Sequence, residues 1–258
     1  MDTYIFLDLD DTIFQTRHKC LTTPDEQLAT AAIHPDGSSL SYTTPQQREL
    51  LSQLQMLGTV IPVTARNLES FRRVQLVFSD LVVLDFGAAI VLPTGELDPI
   101  WDNQIRPRIV EHGSQLEDIC QYWKQISDRL ALGLRIRVIS DFEMPLYVVA
   151  KHPDGQIERL QELWQHAHAE FPSEGFFVHH NDNNLSVVPA CMSKRSAVEY
   201  LLNGPLNEHP RLVIGAGDSL SDAEFLSLCD FSLIPGNSQL MRTLNQQYEV
   251  RRSRSRSQ

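Results

Sequence analysis

The stretch IFLDLDDTIF, Ile5 to Phe14, constrains this chain more than any other. An apolar run drives straight into three carboxylates, Asp8, Asp10 and Asp11. A buried carboxylate is costly unless it is paired, hydrogen-bonded or bound to a metal. The run from Tyr4 to Leu9 lacks the strict alternation of a strand with one wet face, so it reads as a strand covered on both sides, as in a parallel sheet. Either the strand ends at the surface with its acids solvated, or positive charge sits on them.

The segments that follow fit such a sheet. Residues 18–45 are polar and turn-rich, with a hairpin expected around Pro35-Asp36-Gly37. Thr44-Pro45 opens a helix through Leu50, Leu51, Leu54 and Leu57, and Gly58 stops it. TVIPVTAR is a second buried strand, NLESFRRVQLVF a helix and DLVVLDFGA a third strand. This β-α-β-α-β order implies parallel strands joined by right-handed crossovers.

The pattern then changes. Residues 90–189 read as a strand, a turn at Pro93-Thr94-Gly95 and one long helix near Gln104 to Leu130. The strands LRIRVIS and PLYVVAKH, a helix over Ile157 to Glu170 and the strands GFFVHH and LSVVPA complete this part. Paired strands alternating with single helices suggest an α+β unit with an open antiparallel sheet. After it the α/β pattern resumes with a helix from Lys194, the strand RLVIGAG, the helix SDAEFLSLC and the strand DFSLIP. The expected fold is therefore α/β, a Rossmann-like parallel-sheet core with an inserted α+β cap. The expected boundaries are 1–86 and 190–250 for the discontinuous core and 87–189 for the insert. RRSRSRSQ, residues 251–258, is low in complexity and reads as a disordered basic tail.

Ligands of a parallel α/β sheet bind at the C-terminal edge of its strands. Four features reach that edge: Asp8 and Asp10 after the first strand, Thr64 after the second, Lys194 at the helix after the insert, and Asp218 with Asp222 after LVIGAG. Each alone has an ordinary structural explanation as a cap, a turn residue or a solvated side chain. Together and in order, DLDDT, VTAR, SKRSAV and GDSLSD resemble the four motifs of the haloacid dehalogenase-like phosphatases. The insert resembles the family's type-2 cap, found in sucrose-phosphate phosphatase and phosphomannomutase.

That resemblance implies a Mg2+-dependent phosphatase acting on a small phosphorylated metabolite, with sugar phosphates favoured. Asp8 is then the nucleophile, forming an aspartyl-phosphate, and Asp10 the acid/base. Thr64 and Lys194 hold the phosphoryl oxygens and offset charge. Asp8, Asp218 and the Asp10 backbone carbonyl are the implied Mg2+ ligands, a hard-oxygen set that suits this ion. Asp222 and Ser221 support them from behind. Arg66, Gly87, His180 and Asn183 are the expected substrate contacts. Thr12 is read as stabilising the loop, and Asp11 as structural and replaceable. Ser221 and Phe86 stand where many type-2-cap relatives carry Asn, which weakens transfer of a substrate from any one subfamily.

Two other readings share these residues. A phosphotransferase or mutase would use the same intermediate, and a non-catalytic metabolite-binding protein would keep the fold. The weaker signals have simpler accounts. Arg135 and Arg137 alternate on a strand and are expected to meet water, Trp123 and Trp164 belong to the insert's core, and the hairpin at 31–43 is read as decoration rather than as a flap.

The chain has 258 residues, and its net charge of -11 argues against broad attraction to nucleic acid or an anionic membrane. No run is apolar enough to span a bilayer and no basic-then-apolar leader opens the sequence, so a cytoplasmic location is expected. The four scattered cysteines are expected as thiols. The sequence sets no oligomeric state.

Overall fold

The computed structural model describes residues 1–78, 80–171, 174–181, 183–207 and 209–255. The chain divides into two compact units, Met1–Asp98 with Lys194–Gln258, and Pro99–Ser193. Both breaks fall later than the expected 86/87 and 189/190. The first does so because the strands β6 (Val82–Leu84) and β7 (Ala89–Val91) pair with each other inside the first unit.

In the first unit, β1 (Asp2–Leu7) lies between β5 (Thr59–Pro62) and β12 (Arg211–Ala216), parallel to both, and β13 (Phe231–Leu233) extends the far side. A single parallel bridge, Val63 to Val83, attaches β6 beyond β5. The chain thus leaves β1 toward one side and returns on the other. That reversal puts the carboxyl ends of β1 and β12 at the switch point where sheets of this kind bind ligands. Ile5, Phe6 and Leu7 are fully buried, as the unalternated run predicts.

The helix α1 (Pro45–Leu57) begins and ends as expected. Thr44 accepts the Gln47 N–H, the Gln47 side chain accepts the Thr44 N–H, and Pro45 occupies the first turn. Gly58 is required by close approach. A Cβ there would lie 2.3 Å from the Thr3 carbonyl oxygen of β1.

The expected hairpin is present as β3 (Ala29–Ile33) and β4 (Ser39–Thr43), and β2 (Gln15–Thr16) adds a third strand beside β4. This small sheet shortens the helix that follows β5. The helix expected over 67–78 is only α2 (Leu68–Phe71). Beyond it the Arg73 carbonyl accepts the Ile33 N–H at 3.1 Å and the Gln75 N–H donates to Ala31 at 2.7 Å. Pairing with the hairpin replaces helical bonds, a tertiary override of a helical pattern.

The second unit has an antiparallel sheet in the order β10 (Phe176–Asn181), β11 (Asn184–Pro189), β9 (Met144–Lys151), β8 (Arg135–Asp141). One face buries Ile136, Val148, Ala150, Leu185 and Val187 with Leu116, Trp123, Leu160 and Leu163 of the helices α4 (Gly113–Arg129) and α5 (Ile157–Ala167). The single long helix expected near 104–130 is two, α3 (Pro99–Val110) and α4. Gly113 is a poor helix former, and His112 pins the break with its ring nitrogen 2.8 Å from the Arg108 carbonyl and its ring edge-on to Phe176. Arg135 and Arg137 are exposed, as expected.

The helices α6 (Lys194–Asn203), α7 (Leu220–Leu226) and α8 (Gln239–Ser255) return to the first unit. The tail expected to be disordered instead closes α8 over 251–255, while 256–258 lie outside the described residues. Arg is a good helix former. Among the described residues no helix is long and apolar enough to cross a membrane.

Candidate active site

Asp8 stands one residue past β1 and is still tied to the sheet, its N–H donating to the Ala216 carbonyl at 2.9 Å. The chain then turns. Backbone N–H groups of Thr12, Ile13 and Phe14 all point to the Leu9 carbonyl, at 3.0–3.3 Å. This turn brings the Thr12 hydroxyl 2.9 Å from Asp8 Oδ2. Thr12, expected to support the loop, touches the nucleophile candidate itself.

On the other side, Lys194 Nζ lies 2.7 Å from Asp8 Oδ1 and 2.6 Å from Asp222 Oδ1. Lys194 opens α6, where the helix dipole disfavours a cation. It is held there because the two buried acids need its charge. Burial opposes the ammonium, but Asp222 and Asp8 outweigh it and keep the proton bound more tightly than usual.

The Asp222 carboxylate is fully engaged. Its Oδ2 accepts the N–H groups of Asp218 (3.1 Å) and Ser219 (2.9 Å) and the Ser219 hydroxyl (2.7 Å). Ser221 acts one step removed, its hydroxyl 2.8 Å from that of Ser219. Ser219 carries no sequence signal of its own beyond its place in GDSLSD. Gly217 makes the arrangement possible, since a Cβ there would stand 2.6 Å from the Asp222 Cβ.

Asp8, Asp218 and Asp222 each offer an oxygen, and the three lie within 4.8 Å of one another. One lysine faces three buried carboxylates, so negative charge is in surplus. Burial, then Asp222, raise Asp8 well above the usual carboxylate range despite Lys194. Burial, then Asp222 and Asp11, push Asp218 up to about 7. A surplus of hard, buried oxygen ligands suits a divalent cation such as Mg2+.

Thr64 is buried two residues past β5, its N–H donating to Val83 at 2.9 Å. Its hydroxyl oxygen accepts the Arg66 N–H at 3.1 Å, and an accepting hydroxyl can still donate its own proton. Asp10 is held by Arg66 through two parallel bonds, both 2.7 Å, with the guanidinium stacked 5.1 Å over the Phe14 ring. The Asp10 side chain stays about half-exposed, while Arg66 is 11% exposed.

The remaining expected residues separate by unit. Gly87 lies in the first, buried in a turn where Asp85, Phe86 and Gly87 have φ of 51°, 56° and 96°. The turn is tied to this site by Asp85 N–H to the Arg66 carbonyl and Phe86 N–H to the Thr64 carbonyl. His180 and Asn183 lie in the second unit. The Asn183 carboxamide accepts the His152 N–H at 2.8 Å and donates to the His152 carbonyl at 2.7 Å, which braces two strand ends.

The fold matches that of known enzymes. The sucrose-phosphatase of Synechocystis sp. PCC6803, solved with sucrose and phosphate, superposes with a TM-score of 0.53 at 18% identity over 96% of this chain and 88% of that one. The trehalose-6-phosphate phosphatase C-terminal domain of C. albicans gives 0.54 at 15% identity over 88% and 73%. The IMP-nucleotidase of Plasmodium falciparum, solved as a point mutant with IMP bound, gives 0.54 at 13% over 94% and 66%. A search of curated protein sequences finds no match. Residues 144–242, which include Lys194, Asp218 and Asp222, match the model of the haloacid dehalogenase-like hydrolases, and with these superpositions the chain has the haloacid dehalogenase-like fold with an inserted antiparallel unit.

Proposed function

We propose that this chain is a Mg2+-dependent phosphatase that hydrolyses a small phosphorylated metabolite, with sugar phosphates as the favoured class, through an aspartyl-phosphate on Asp8. The observation that carries it is the buried Asp8 carboxylate, fixed by Lys194 and Thr12 where β1 and β12 end, with Asp218 beside it. The likeness of fold to a sucrose-phosphatase and a trehalose-6-phosphate phosphatase supports the sugar-phosphate class.

Asp8 attacks phosphorus, and the bond to the leaving oxygen breaks. Thr12 and Lys194 hold both carboxylate oxygens, so the attacking group is aligned before the ester arrives. Asp10 gives a proton to the leaving oxygen and later takes one from the water that attacks the aspartyl-phosphate, returning Asp8. Arg66 sets where the Asp10 oxygens point and is in this reading a positioning residue, not a substrate contact. Thr64 donates its hydroxyl proton to a phosphoryl oxygen, and Lys194 stabilises the charge that develops there. Asp8, Asp218 and the Asp10 carbonyl would hold Mg2+, whose contribution is to neutralise the phosphate and the nucleophile as they approach. Asp222 holds Lys194 and the 218–219 backbone in place, with Ser221 behind Ser219. Gly87 fixes the turn beside Thr64, His180 remains a candidate substrate contact, and Asn183 braces the second unit. The four free cysteines suit a reducing compartment, so a cytoplasmic location belongs to the proposal.

The test is a panel of sugar phosphates, nucleoside monophosphates and p-nitrophenyl phosphate, with Mg2+ and with EDTA. Release of inorganic phosphate that Mg2+ supports and Asp8→Asn abolishes is expected. Wild-type-like turnover by Asp8→Asn ends the covalent mechanism, and transfer of phosphate to a sugar without release favours a phosphotransferase.

A further inference from the structure

The loop 85–88 joins β6 to β7 and runs left-handed for three residues, with φ of 51° at Asp85, 56° at Phe86 and 96° at Gly87. Ala88 is right-handed again. Hairpin loops of this length are most often built around a right-handed type I turn. The pairing of β6 with β7 therefore does not ask for this path. Glycine adopts it freely and aspartate tolerates it, but a bulky side chain is crowded there. Phe86 takes it all the same, and is 3% exposed.

What the path accomplishes is a clamp on residues 64–66. Ahead of the loop, the Thr64 N–H donates to the Val83 carbonyl at 2.9 Å. Within it, the Phe86 N–H donates to the Thr64 carbonyl at 3.2 Å and the Asp85 N–H to the Arg66 carbonyl at 3.0 Å. A right-handed loop would rotate those peptide planes and withdraw both N–H groups from the segment. The clamp bears most on Arg66. Its N–H meets the Thr64 hydroxyl at 3.1 Å, and its guanidinium donates to both Asp10 oxygens at 2.7 Å and to the Ser70 carbonyl at 3.2 Å. With one end on Asp10 and its carbonyl on Asp85, Arg66 carries any shift of the loop to the Asp10 carboxylate. Asp8 has its own holders, Thr12 and Lys194.

We propose, resting on the phosphatase reading above, that Phe86 is a positioning residue for acid catalysis. Its burial holds the loop left-handed, the loop fixes Arg66, and Arg66 aims Asp10 at the leaving oxygen.

The experiment measures kcat/KM of the full chain with Mg2+ on phenyl phosphate and p-nitrophenyl phosphate. The two esters have nearly the same shape. Phenolate is the more basic leaving group and gains more from a proton, whereas p-nitrophenolate leaves without one. Phe86→Ala keeps the Cβ that disfavours the left-handed path and removes the ring that enforces it. It should lower kcat/KM for phenyl phosphate by about tenfold, a part of what a well-placed general acid supplies, and for p-nitrophenyl phosphate far less. Phe86→Gly loses the same ring but takes the path freely, and should bring the ratio of the two esters back toward wild type. Gly87→Ala keeps the ring and strains the loop at φ 96°, so it should displace the ratio as Phe86→Ala does. It also carries the test if Phe86→Ala loses its folded far-UV circular dichroism. Equal losses on both esters, a Phe86→Gly ratio displaced as far as that of Phe86→Ala, or unfolding of both alanine variants overturns the inference. So does wild-type turnover of p-nitrophenyl phosphate alone, since no proton then reaches the leaving oxygen. In each of these cases phosphate release by wild type leaves the phosphatase reading standing. Absence of release from both esters removes both.

Discussion

Replacing Asp218 by Asn should make the metal-free protein more stable at neutral pH. Asp218 is 5% exposed, and burial with Asp222 beside it raises it from an ordinary 3.8 to about 7. The folded state then holds a proton that the unfolded state releases. Where the folded state binds more protons, stability falls as pH rises. The full contribution is present below about pH 4 and is lost as pH climbs through about 7. At about 1.4 kcal/mol per pH unit, the loss is at most about 4 kcal/mol. Relaxation and water entry reduce such penalties, so about 2 kcal/mol is expected at pH 8, or about 4–8 °C in Tm for a chain of this size. Asn keeps the volume and removes the charge. The assay is thermal unfolding in EDTA at pH 5, 6, 7 and 8 for wild type and Asp218→Asn. The gap should be small at pH 5, widen through pH 7 and level off. Mg2+ should then raise the wild type and close the gap, because a ligand that binds only the folded state stabilises it. A variant no more stable than wild type at pH 8, or a gap indifferent to pH, would refute the placing of Asp218 in a charge-surplus pocket.

Other substitutions probe neighbouring links. Lys194→Met strands Asp8 and Asp222 without their cation and should lower stability by about 3–5 kcal/mol in urea titrations as well as abolish turnover. Gly217→Ala puts a methyl group 2.6 Å from the Asp222 Cβ, and should depress kcat far more than it changes the far-UV circular dichroism. Arg66→Ala frees Asp10 from its two bonds and should lower kcat by about 10–100-fold, an effect on the scale of mislaid acid/base catalysis, with KM for glucose 6-phosphate little changed.

Much of the site was legible in the sequence because strand ends announce themselves. Apolar runs that stop at Asp8, Thr64 and Asp218 place those side chains on one sheet edge whatever lies between. Lys194 was legible only through its position after the insert. The pairing of Asp10 with Arg66 was not, since nothing local links residues 56 positions apart and Arg66 was expected to contact the substrate instead. The same holds for Thr12, whose contact with Asp8 depends on how tightly the turn winds around the Leu9 carbonyl. Errors in the elements have a common cause. The helix expected over 67–78 lost most of its length to pairing with a hairpin that lies far back in the sequence, and the long helix of the insert was divided where His112 found a partner in Phe176. The terminal residues erred in the opposite sense, since composition suggested disorder and helix propensity prevailed over 251–255.

The position of β1 between β5 and β12 bears on how the chain is made. One edge of β1 finds β5 soon after it leaves the ribosome. The other edge must wait for Arg211–Ala216. At about 5–20 residues per second, that interval is about 10–40 s. Throughout it a strand whose Ile5, Phe6 and Leu7 end fully buried presents an open edge, the kind that invites pairing with another chain. Among the described residues, the strands of the second unit pair with one another and can be complete before β12 is translated. Asp8 meanwhile lacks Lys194 and Asp218, so on the proposed mechanism a nascent chain does not yet act on phosphate esters. Synthesis order thus makes the last quarter of the chain both the seal on the sheet and the source of the cation that Asp8 is paired with.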